Sequence, residues 1–175
     1  MITLFIGLTA ANLLSLTAVF VVGLVLKDGG GEAGSLYSIH ITLGILAGLL
    51  CALTHVTIFT YFMATTKWLE AATYKAALDH NQFVANSLQR KKHAFWLVMI
   101  AITATTLTMV GGAGADSAAA PLWPPQVHLL LATVTIAVNF LCALSEYKLI
   151  AVQGRQIKEA ASILYLRSDV KTKRT

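Results

Sequence analysis

Charge is what this chain has least of. Asp, Glu, Lys and Arg make up 12% of its 175 residues, against roughly 25% in a soluble domain. That scarcity excludes an ordinary water-soluble globule. With 57% hydrophobic residues the chain is not a disordered one either, since disorder goes with polarity and charge. Cysteine is nearly absent. Cys51 and Cys142 lie inside apolar runs, with no CxxC, CxxCH or zinc-ligand spacing around them, so they read as small buried apolar side chains. Proline occurs only at Pro121, Pro124 and Pro125, which leaves the long apolar runs free to be helical. There is no HExxH, no paired catalytic carboxylates and no nucleophile–base pair. The GGAGAD stretch at 111–116 lacks the lysine and the strand–loop–helix context of a phosphate loop. A hydrolase is therefore not indicated.

What the chain does have is four apolar runs, at about 2–26, 36–66, 93–113 and 127–147, and a mean hydropathy of +0.71. A bilayer crossing takes about 20 apolar residues, so the runs predict four membrane spans. The first has no basic n-region and no cleavage site, and it exceeds a signal-peptide core, so it is expected to be a permanent span. The prolines precede the fourth run, where a helix tolerates them, and Trp123 beside them suits the interfacial aromatic belt. Connections between the first and second and between the third and fourth runs are short. The predicted fold is a single all-α transmembrane domain, an up-down-up-down four-helix bundle. Residues 67–92 and 148–167 carry apolar positions among helix formers and predict helical extensions, with a break near Asp79-His80-Asn81 and a frayed tail from Ser168.

The net charge of +5 is distributed by topology rather than for nucleic acid. Twelve of the thirteen Lys and Arg residues fall in 67–92 or after the fourth run, and Lys27 alone falls on the opposite side. The positive-inside rule predicts that both termini and the helical extensions are cytoplasmic, in the inner (cytoplasmic) membrane of a bacterium.

Four of the five histidines, His40, His55, His93 and His128, lie within or at the ends of spans. Ionisable residues at membrane depth are costly and face the bundle interior. His40 and His55 are separated by about 22 Å along a helix and by only about 60° around it. Gly44, Gly48 and Cys51 lie on the stripe between them, a groove of small side chains that admits a neighbouring helix or a flat ligand. His40 is four residues past Leu36 and His128 four past Pro124, so these two match in depth. His55 matches a residue near position 95 of the third span, which makes His93 its partner. Two cross-helix pairs, His40 with His128 and His55 with His93, are what axial ligation of two iron centres requires. His80, in the extension, has no assigned role.

This constellation resembles the four-helix core of membrane di-haem cytochromes b, in which one helix carries two histidines about four turns apart. The likeness covers the second to fourth spans and departs in one respect. In the best-known members both haems lie between the same two helices, whereas here the partners come from two different ones. The resemblance implies two b-type haems with His40, His128, His55 and His93 as axial ligands to iron. Arg90, with Lys91 and Lys92, would serve the propionates of one, and Lys27, Gln126, Ser38 and Tyr37 those of the other. It implies electron transfer across the bilayer between quinone and a redox partner, within an oxidoreductase of several protein subunits. Set against this is a cofactor-free accessory subunit or scaffold, with His55 satisfied by Thr54, Thr57 or a carbonyl. A small transporter or channel is a weaker third reading, as there is no internal repeat and no charged residue at the membrane centre. Asn12 and Asn139 read as interhelical hydrogen-bonding groups, and Glu146 as the partner of Lys148 or of residues 90–92, or as a proton acceptor at a quinone site.

Overall fold

A computed structural model describes residues 1–28, 33–116 and 121–172 of the chain. Residues 29–32, 117–120 and 173–175, and the side chains of 27, 28, 33 and 168–172, lie outside the described residues. The expectation placed on Lys27 falls there, while the tail expected to fray from Ser168 instead stays helical to Thr172. Four α-helices make up the fold: α1 Ile2–Asp28, α2 Ala33–Ala76, α3 Asn86–Gly114 and α4 Pro125–Thr172. No strand occurs among the described residues. Each helix contains a stretch long and apolar enough to cross a membrane. Pro125 opens α4, at a position where a missing N–H costs nothing. Many threonines inside the helices turn their hydroxyls onto the carbonyl one turn back. Thr17 donates to Leu13, Thr54 to Leu50, Thr57 to Leu53 and Thr133 to Leu129. A polar side chain is thereby satisfied without leaving its own helix.

The 44 residues of α2 and the 48 of α4 span about 66 and 72 Å at about 1.5 Å per residue, roughly twice a 30 Å hydrocarbon core. Both helices therefore run on past one end of the bundle. α2 stops where Ala77 takes the left-handed conformation, with φ 46°, which a β-carbon disfavours. The chain re-enters through one π-helical turn, Asn81–Ala85, whose start is fixed by the Asp79 carboxylate accepting the Gln82 N–H at 2.7 Å. α3 continues directly from it.

Cross-helix contacts fix the directions. Phe5 stacks near Tyr147 while Asn12 bonds Asn139, so α1 and α4 are antiparallel. Cys51 meets Thr105 and Thr66 meets Ser87, so α2 and α3 are antiparallel. Thr108 meets Thr135 and Cys142 meets Leu97, so α3 and α4 are too. His40 faces His128 and Thr65 bonds Gln153, which makes α2 and α4 parallel and in contact across the bundle. The result is an up-down-up-down bundle with a loop end and an extended end.

The bundle is apolar outside and carries several polar layers inside. Leu14, Leu49 and Leu130 are 64–70% exposed, whereas Asn139, Glu146 and Gln153 are at most 1% exposed. In water this distribution would be reversed. From loop end to extended end the interior forms layers. His40 and His128 come first, then Thr108 with Thr135, then Asn12, Cys51, Thr105 and Asn139, then His55 with Glu146. An apolar layer of Phe5, Ile58, Phe62, Ala94 and Ile150 follows. Beyond it lie Thr65, Thr66, Ser87, Arg90, Gln153 and Gln156, and finally Leu69, Phe83 and Ala160 in the extension.

Candidate functional site

At the loop end α2 and α4 bring His40 and His128 together, with ring centres 6.2 Å apart and ring planes at 81°. Each ring lies against glycine backbone of a neighbouring helix. A β-carbon on Gly23 of α1 would come within 2.9 Å of the His40 ring, and one on Gly112 of α3 within 3.0 Å of the His128 ring. Glycine at both places lets the helices close on the imidazoles without displacing them. Trp123 pins the same end, its indole N–H donating to the Gly111 carbonyl at 2.9 Å. Nδ1 of His40 and Nδ1 of His128 are both buried without a hydrogen-bond partner. Buried polar atoms are nearly always paired. Four further buried side-chain atoms of the described residues, among them Asn12 Oδ1 and Glu146 Oε2, also lack a partner, and what sets this layer apart is that its two open atoms are imidazole nitrogens on facing rings. A metal-bearing group at this layer would be held by His40 and His128, whose ring centres lie 6.2 Å apart. Two imidazoles are too few for a bare ion, and no cluster of three or more His, Cys, Asp or Glu occurs among the described residues. A group held there would have to bring its remaining ligands itself, as haem would.

The His55 layer is built differently. Asn139 donates from Nδ2 to the Thr135 carbonyl at 3.0 Å and to Thr105 Oγ1 at 3.3 Å. A carbonyl only accepts, so this bond fixes the amide's orientation. Asn139 Oδ1 then accepts from Asn12 Nδ2 at 3.3 Å, Cys51 Sγ at 3.3 Å and His55 Nε2 at 3.2 Å. His55 Nε2 must therefore carry hydrogen. Nδ1 on the other side of the ring lies 2.9 Å from Glu146 Oε1, so a second proton is shared between Nδ1 and the carboxyl group. Both ring nitrogens are engaged, and His55 is 2% exposed and Glu146 0%. The partners expected from sequence are not those found. Thr54 and Thr57 bond within their own helix, and Glu146 meets His55 rather than Lys148 or residues 90–92.

His55 and His93 do not come together as a ligand pair. His93 is exposed on α3, one residue away from the buried Ala94. It lines a cleft of about 450 Å³ with Arg90, Lys92 and Trp96. His55 has no free nitrogen to offer iron. The His55–His93 layer thus does not fit a haem, and no step is derived through one there. Arg90 turns toward α4, where Nε donates to Gln153 Oε1 at 2.9 Å and Nη2 to Gln156. Gly44 faces Val19 of α1, and Gly48 admits Met109 of α3. That stretch of the small-residue stripe serves close helix packing. His80 is exposed.

Sequence reasoning missed the His55–Glu146 bond and the roles of Gly23 and Gly112. A signal for the first was present, since His128, Thr135, Asn139, Cys142 and Glu146 lie on one helical stripe and an interior acid calls for an interior base. What fold and site define together is an all-helical bundle with four membrane-capable helices and a paired-histidine layer near one end. Comparison with known proteins finds no matching family, no matching curated protein and no matching solved structure.

Proposed function

We propose that the chain transfers electrons within a membrane through one b-type haem held by His40 and His128. The observation that carries this reading is the facing pair itself: ring centres 6.2 Å apart, each with a buried, unpaired Nδ1 and each set against glycine backbone. When bound, haem supplies one-electron exchange. The protein's part is to fix and shelter the ligands. α2 and α4 set the two rings at one depth, Gly23 and Gly112 hold them from α1 and α3, and the Trp123–Gly111 bond closes the end of the helix pair.

The second haem expected from sequence is not part of the proposal, because His55 is bonded at both nitrogens. Quinone and a protein redox partner complete the reading. The exterior is apolar enough to meet a lipid-soluble carrier, and the basic extended end offers a docking face. Charge distribution supports an arrangement in a bacterial cytoplasmic membrane with that end inside. The alternative, a cofactor-free accessory subunit, draws support from the His55 layer, where both ring nitrogens are bonded within the protein while Glu146 Oε2 and Asn12 Oδ1 stay buried without a partner.

The test is a reduced-minus-oxidised spectrum and a pyridine haemochrome assay on purified protein expressed with ample haem. One b-type haem per chain, absent in His40→Ala, is the expected result. A colourless wild-type protein would overturn the reading in favour of the accessory subunit.

A further inference from the structure

At the extended end, where α3 passes from polar residues into its apolar run, α3 and Leu149 of α4 border the shallow, open cleft of about 450 Å³ noted above. Its polar part is walled by Arg90, Lys92, His93 and Asn86, and its apolar part by Trp96 and Leu149. Among the described residues no acidic side chain lines it. Arg90 is half-buried and held in place. Gln153 accepts from its Nε, and Gln153 is itself fixed by donating to Ser87 Oγ at 2.8 Å and Thr65 Oγ1 at 3.0 Å. Gln156 accepts from Nη2 and donates to the Gln82 carbonyl. These partners are neutral amides. They orient the guanidinium without neutralising its charge, and they leave Nη1 for another acceptor. Glu159 is engaged by the Gln82 amide on the far side of this network and does not line the cleft. An oriented arginine beside a lysine, in a cleft without an acidic wall, is complementary to an anion with several oxygens.

The rest of the cleft says what carries that anion. Trp96 is 56% exposed and, with Leu149, continues the cleft from its basic mouth along the apolar face of the helices. Free phosphate has no use for such a wall, and a neutral quinone has no use for two uncompensated cations. We infer that this cleft binds one anionic phospholipid, the phosphate on Arg90 and Lys92 and an acyl chain along Trp96 and Leu149. Two basic side chains close to a lipid surface, one of them half-buried and partly engaged, together favour an anionic over a zwitterionic lipid by about tenfold. The inference does not depend on haem. It concerns the opposite end of the bundle from His40 and His128.

Native mass spectrometry of the full chain, released from detergent with equimolar phosphatidylglycerol and phosphatidylcholine, tests it. The expected result is one retained phosphatidylglycerol, at about tenfold preference. The preference should drop severalfold in Lys92→Gln, an exposed position whose change does not threaten folding, and vanish in Arg90→Gln with Lys92→Gln. Lys67→Gln, outside the cleft, should keep it. Equal retention of the two lipids would overturn the inference, as would a preference untouched by Lys92→Gln. So would displacement by inorganic phosphate at concentrations comparable to the lipid's, which would make this a site for a free anion. Ubiquinone added in competition should leave the lipid bound, and its binding in the lipid's place would likewise overturn it.

Discussion

The two histidine layers of this bundle lie on the same pair of helices and are opposite in kind. At the loop end His40 and His128 face each other, each with a buried Nδ1 that has no hydrogen-bond partner. Deeper in, His55 spends both nitrogens on Asn139 and Glu146. An imidazole engaged at both nitrogens is a structural crosslink, and one with an open nitrogen is what the proposed ligand requires. The difference comes from the neighbours. Around His55 every approaching helix brings a polar side chain: Asn12 from α1, Cys51 on its own α2, Thr105 from α3, and Asn139 and Glu146 from α4. Around the loop-end pair the flanking helices bring glycine.

The comparison can be broken most forcefully at Glu146. Glu146→Ala leaves the His55 ring buried with one side unpaired and should cost ~3–5 kcal/mol. Glu146→Gln can donate an amide N–H to His55 Nδ1 and should cost about 1 kcal/mol. Reversible unfolding in mixed micelles measures both, and an alanine variant no less stable than the glutamine one would show that the bond holds nothing together.

Gly112→Ala comes next. Its β-carbon would lie 3.0 Å from the His128 ring, an overpacking of about 1–3 kcal/mol that also moves the ring. Gly7→Ala is its control, because nothing lies within 4 Å of that position, and it should raise stability by up to about 1 kcal/mol through helix propensity. Equal melting temperatures for the two would remove the glycine wall from the account. The smallest effect belongs to His93→Gln, at an exposed position. It should shift stability by no more than about 0.5 kcal/mol and leave pigment content unchanged, and a bleached protein would restore His93 as a ligand.

The four helices were legible because a run of some twenty apolar residues without proline leaves the chain few alternatives. The depth of His40 and His128 was legible for a related reason: Leu36 and Pro124 mark two helix starts at the same surface, and counting four residues from each reaches both rings. The partner of His55 was not legible by that route. Depth is set by counting, but facing is set by rotational phase, and phase is what a membrane helix hides. Its outer face is as apolar as a soluble core, so hydrophobic periodicity is weak. On α3 the phase is written in small and polar residues instead. Ser87, Ala94, Val98, Ala101 and Thr105 are buried, at helical spacing, and His93 stands one residue, about 100°, off that stripe. Glu146 falls on the interior stripe of α4 with Thr135, Asn139 and Cys142. The glycine walls escaped notice because a glycine in an apolar run carries no sign of which side chain it admits.

The central claim is that one histidine layer holds a ligand and the other holds the bundle together. The most direct measurement is the haem-per-chain ratio of His128→Ala and His55→Asn, prepared side by side with the wild type. The account predicts one haem in the wild type, none in His128→Ala and one in His55→Asn, the last with lowered stability. Haem retained in His128→Ala, or lost from a folded His55→Asn, would contradict it.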